Sequence, residues 1–135
     1  MRCIATHCHL QLCCRFIRHP IPRLFPRSRN DREILFKSIR LLLDSSRSYT
    51  EREINAALRD WIRDVAPAIE TDHVTLRRLL VDFGHLERTA DGRAYRIGFP
   101  ARPSAFALDV DDIDVRATIA AYREYLAKRP RRAKP

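Results

Sequence analysis

Three apolar stripes with helical spacing follow one another along the middle of the chain, and the third is stopped by a glycine standing before a hairpin. Ile54, Ala57, Leu58 and Trp61 recur at i, i+3, i+4 and i+7, and Leu76, Leu79, Leu80 and Phe83 repeat that pattern. Upstream, Leu35, Ile39 and Leu42 recur at +4 and +3, with Ile34, Phe36 and Leu43 widening the stripe. This spacing puts the apolar side chains on one face of a helix, and such a face requires burial. "LERT" and "AYRI" then read as two strands joined at Asp91-Gly92, where both turn positions tolerate positive φ.

The boundaries carry their own signals. Thr50-Glu51-Arg52-Glu53 is a Thr-x-x-Glu capping box, so the second helix starts after Thr50. Asn30 with Glu33 three residues later predicts a similar box for a first helix over about 31–44. Pro67 ends the second helix, Thr71 or Asp72 caps the third, and Gly84 supplies the left-handed residue that closes it after Phe83. A proline-bearing linker over 99–110 leads to a last helix, about 112–128, with acids at its start and Lys128 and Arg129 at its end, as the helix dipole favours. The expected class is mainly α within α+β: a winged helix-turn-helix-like domain over 30–98, with three helices and a two-stranded hairpin, followed by a C-terminal helix over 111–128.

The formal charge of +9 looks like a footprint for nucleic acid until its distribution is read. Eleven of the 26 lysines and arginines lie in residues 1–30 and 128–135, which leaves 15 against 17 acidic side chains between them. Residues 1–29 mix Cys, His, Pro and Arg without a helical or strand period and are expected to be an unstructured basic segment, of the kind a start codon assigned too far upstream yields. Residues 129–135 read as a basic tail. Cys3, Cys8, Cys13 and Cys14 have spacings that match no paired zinc knuckle, so no metal and no cofactor is expected. No apolar run reaches the roughly 18 residues of a membrane span, and the expected location is cytoplasmic.

Catalytic patterns are missing: three glycines build no phosphate loop, and there is neither a nucleophile elbow nor a His-Glu-x-x-His. The chain is therefore expected not to be an enzyme. The candidate chemistry is cationic. On the third helix Thr75, Arg77 and Arg78 lie off the apolar stripe, and Arg88, Arg93 and Arg96 belong to the hairpin; these six are the expected nucleic-acid contacts, by guanine edges or phosphates. The competing reading is a small helical domain with arginines on a solvated face. Trp61 and Phe83 are expected in the core, and His73 at the start of the third helix.

The segments "ILFKSIRLLL", "YTEREINAAL" and "TLRRLLVDFGHLERTADGRAYR" together resemble the family known as domain of unknown function 2087. The similarity rests on Tyr49, Thr50, Glu51, Glu53, Asn55, Leu76, Arg77, Arg78, Val81, Asp82, Gly84, Leu86, Arg88, Asp91, Gly92 and Tyr95, and covers about 34–97. The resemblance implies a small helical domain of the sort found beside helix-turn-helix regulators, and assigns no catalytic residue.

Two functions follow as expectations. The first is a DNA-binding or transcription-associated winged-helix module, for which Arg77, Arg78, Arg93 and Arg96 form one exposed surface. The second is a protein-interaction module without specific DNA binding, for which acidic groups or the last helix cover that surface. A homodimer through Val115, Ile119, Tyr122 and Leu126 is one expectation for the last helix; packing of this seam on the chain's own domain is the other.

Overall fold

A computed structural model describes residues 23–67, 69–100 and 111–128, with the side chains of Arg23, Leu24 and Leu126 left out. The order is β1 (Arg23–Leu24), α1 (Arg29–Arg40), β2 (Tyr49–Thr50), α2 (Glu51–Asp64), β3 (Ile69–Glu70), α3 (His73–Asp82), β4 (Leu86–Arg88), β5 (Ala94–Ile97) and α4 (Val115–Lys128). The described fold is thus mixed: four helices, an antiparallel sheet in the order β2-β5-β4, and a short parallel pair of β1 with β3. The cysteine-bearing segment, the linker from 101 to 110 and the tail from 129 lie outside the described residues.

The sharpest local signal holds in full. Glu53 N–H donates to Thr50 Oγ1 at 3.2 Å, and the Glu53 carboxylate accepts from Thr50 N–H at 2.8 Å. Two donors at the start of α2 are satisfied by one residue pair. Asp72 caps α3, accepting from Thr75 N–H at 2.7 Å. At the other end Gly84 stands at φ +79°, with Gly84 N–H on Val81 O at 3.0 Å and His85 N–H on Leu80 O at 2.8 Å. These two bonds are the Schellman closure that a left-handed glycine permits.

Several expectations are corrected. The first helix has Ser28 as N-cap without a side-chain bond, and Glu33 does not reach back to Asn30, because its carboxylate is buried against His85 at 3.2 Å. The helix ends at Arg40, where Leu42 N–H on Ile39 O and Leu43 N–H on Arg40 O tighten the chain into narrower turns. Residues 23–28 do not join an unstructured segment: β1 pairs with β3, and the Phe25 ring lies 5.5 Å from Phe36. The hairpin gains a third strand, because Tyr49 and Thr50 pair with Tyr95 and Ala94. Its turn needs positive φ only at Gly92, whose N–H donates to Thr89 O at 2.8 Å while Thr89 N–H bonds Ala94 O. Asp91 accepts from Thr89 Oγ1 and the Arg93 backbone, and these bonds hold its carboxyl below the ordinary range.

Core packing follows the stripes with one exception. Leu35, Phe36 and Ile39 of α1, Ile54, Leu58 and Trp61 of α2, and Leu76 and Leu80 of α3 are buried together with Leu86 and Tyr95. Phe83, expected in the core, is 37% exposed: one face meets Phe36 at 5.7 Å and the Arg32 guanidinium lies 4.1 Å from its ring centroid. Val115 and Ile119 are buried in this same core, and Tyr122 packs against it. The dimer expected through them therefore lacks its two best anchors, which the chain's own core already covers. Lys37 Nζ on Asp111 at 2.6 Å ties the start of this region to α1.

The Glu33–His85 pair has a consequence for pH. His85 is buried, its Nε2 faces the Glu33 carboxylate, and Nδ1 has no partner. Burial lowers its pKa below the ordinary 6.5; Glu33 opposes that shift, and Arg40 and Lys37 add to it. The neutral ring thus donates from Nε2. Because the unfolded chain binds this proton more readily, the stabilisation is present above pH 6.5 and is lost as pH falls through the lower folded-state value. Urea midpoints from pH 7.5 to 5 are expected to fall more steeply for the wild type than for His85→Gln, which keeps a donor for Glu33 and cannot titrate. Parallel slopes would remove His85 as the cause.

Candidate nucleic-acid interface

The third helix, the hairpin strands and the start of α2 meet around one pocket of about 240 Å³. Arg77, Arg78 and Asp82 reach it from α3, Glu51 from α2, Arg88 from β4 and Tyr95 from β5. The capping box determines where α2 begins and so where Glu51 stands. Asn55 is four residues further on the same helix face. Register determines the rest, since Arg88 lies opposite Tyr95 in the β4-β5 ladder.

The six expected contact residues have different surroundings. Arg78 is exposed and makes no hydrogen bond or ion pair among the described residues. Arg77, expected to be exposed as well, has a side chain only 12% accessible; Nη1 donates to Asn55 Oδ1 and lies 3.2 Å from a Glu51 oxygen. The correction has a steric origin. The Arg77 guanidinium is 5.6 Å from the Tyr95 ring centroid, so it points into the angle between α2 and the sheet. Arg88 is exposed, its Nε donates to Gly92 O at 3.1 Å, and its guanidinium is 6.0 Å from the same ring.

The remaining three do not line the pocket. Arg96 Nε donates to Glu87 at 2.9 Å on the outer side of the hairpin. Arg93 is exposed beside the turn, with its backbone N–H on Asp91. Thr75 is exposed, and its hydroxyl donates to the capping Asp72 at 3.1 Å. Arg77, Arg78, Arg93 and Arg96 thus do not form one uninterrupted free surface: acidic groups engage two of them, and no residue of the last helix lines the pocket. Glu51, Asp82 and Tyr95 were absent from the expected set. Glu51 fell inside the capping-box motif without a role of its own, and no local pattern pairs it with a residue 26 positions away.

Among the described residues no group of three or more His, Cys, Asp or Glu could hold a metal ion, and no helix is long and apolar enough to cross a membrane.

Comparison with known families decides the relationship. A family model described as "Uncharacterized protein conserved in bacteria (DUF2087)" matches residues 23–97. The chain belongs to this family. No curated protein and no solved structure matches it. The DUF2087 match runs from β1 to the end of β5, so it includes the parallel β1-β3 pair and every pocket residue, and it stops before α4. The family resemblance expected over about 34–97 therefore begins eleven residues earlier, at the strand that the irregular composition before residue 30 concealed.

Proposed function

We propose that the DUF2087 region of this chain is a winged-helix nucleic-acid-binding module without catalytic activity, acting in transcription regulation. The order α1, β2, α2, β3, α3 and the β4-β5 hairpin, with β2 beside β5, supports the winged-helix reading. The α2–α3 connection is longer than a tight helix-turn-helix, yet Val65, Ala66 and Ile69 are buried within it. The observation that carries the functional reading is the convergence of two arginines of α3 with Arg88 of the wing on one open pocket. Cations from a recognition helix and a wing, brought to one place, suit a helix lying in a groove with the hairpin along the backbone.

The test is fluorescence anisotropy of the full chain with mixed-sequence duplex DNA across a salt series. Arg78→Ala and Arg88→Ala are each expected to weaken binding about fivefold to tenfold and to make the salt slope shallower by about one. Comparison within one chain length cancels the contribution of the cationic ends. Arg63→Ala is the control for lost charge, since Arg63 pairs with Asp60 and Asp64 at the far end of α2. Equal affinities for all three variants would refute the reading. The second reading, a protein-interaction module without specific DNA binding, draws support from Arg77 and Arg96 being already engaged by Glu51 and Glu87.

A further inference from the structure

Within the pocket the three guanidinium groups differ in how they are held, and this difference indicates a ligand. Arg77 is fastened from α2 by Asn55 and Glu51. Arg88 is fastened by the Gly92 carbonyl, and the missing side chain of Gly92 makes room for it: a Cβ there would lie 3.2 Å from Arg88 Nη2. Arg78 has no partner among the described residues. Of the two cations open to a ligand, Arg88 is therefore positioned before it arrives, which lowers the ordering cost of binding, and Arg77 adds a fixed positive charge beside it. Three arginines against Glu51 and Asp82 leave one net positive charge around a space of about 240 Å³.

We propose that this pocket binds a single phosphodiester monoanion, with Arg78 and Arg88 on its two non-bridging oxygens and Glu51 acting as a competing anion on Arg77. Planar guanidinium forks match such oxygens in geometry and gain strength from the charge. One negative charge neutralises the pocket, whereas a terminal phosphate dianion leaves it net negative beside Glu51 and Asp82. Glu51 is 53% exposed and free to swing away from Arg77, so it lowers the affinity without blocking the site. The proposal rests on the nucleic-acid reading for the source of the diester, while the pocket chemistry is the same for a small phosphodiester.

The experiment follows the arginine Nε–H resonances of the full ¹⁵N-labelled chain by NMR, with assignments from Arg77→Lys, Arg78→Lys and Arg88→Lys. The probes are a mixed duplex, a dithymidine monophosphate carrying one diester, and inorganic phosphate. The expected result is movement of the Arg78 and Arg88 signals with duplex and with dinucleotide, and less movement with inorganic phosphate at equal concentration. Glu51→Gln is expected to tighten the dinucleotide about twofold to fivefold, the range for release of one exposed ion pair. Duplex binding by anisotropy without movement of these signals overturns the pocket proposal and leaves the nucleic-acid reading standing. Dinucleotide binding without duplex binding supports the pocket and overturns that reading. Silence toward duplex and dinucleotide alike, or a Glu51→Gln affinity equal to wild type, overturns respectively the site and the role of Glu51.

Discussion

Trp61→Ala is expected to remove about 3–5 kcal/mol of stability, the range for truncating a large buried aromatic, and so a large share of the roughly 5–15 kcal/mol that holds a small domain folded. Trp61 is buried in the last turn of α2, and its Nε1–H donates to Ser38 Oγ at 2.9 Å. Ser38 Oγ in turn donates to Leu35 O at 2.7 Å, so the indole spans from α2 into the backbone of α1. Truncation leaves a cavity between the helices and removes this polar link together with its apolar contacts. Trp61→Phe separates the two effects: most of the apolar contact stays while the N–H is lost, and a cost of about 1–2 kcal/mol is expected. Urea unfolding followed by circular dichroism measures both variants. A loss under about 1.5 kcal/mol for Trp61→Ala would place the ring outside the core.

Gly98→Ala is the second large effect, about 2–3 kcal/mol, near the upper end of what overpacking usually costs. The residue follows β5, and its N–H donates to His85 O at 3.0 Å. A Cβ here would meet the Gly84 carbonyl oxygen at 2.6 Å and the Glu87 Cγ at 3.1 Å. The first contact is backbone against backbone, and Gly84 cannot yield, because its φ of +79° is held by the closure of α3. The methyl group is therefore expected to push the end of β5 away from the end of α3. Since Arg88 and Tyr95 sit on those strands and Arg77 and Arg78 on that helix, the same change is expected to disturb the pocket. A lowered thermal midpoint together with weaker binding of duplex DNA is the expected pair of results. An unchanged midpoint would show that the two glycines approach less closely than 2.6 Å implies.

Much of the frame was legible in advance. The capping box at Thr50 and Glu53, the Asp72 cap, the Gly84 stop and a hairpin turning at Asp91-Gly92 are all present, and Leu58, Trp61, Leu76 and Leu80 are buried as their spacing required. The two-residue strands β1, β2 and β3 were not legible, because two residues establish no alternation. Of the six expected contact residues, three share one pocket.

By itself the sequence determined whatever acts within about one helical turn: where helices begin and end, where the chain takes positive φ, and which face is apolar. Only the tertiary structure decided which partner each polar group meets. Glu33 has the right spacing for a capping box yet pairs with His85, 52 residues away, because burying the imidazole requires an acceptor. Arg77 and Arg78 are neighbours in one helix, but a rotation of about 100° between them turns one guanidinium toward Glu51 and Asn55 and leaves the other in solvent. The apolar seam of α4 suited either a second chain or this one, and the open side of the core took Val115 and Ile119, since an intramolecular partner is always at hand.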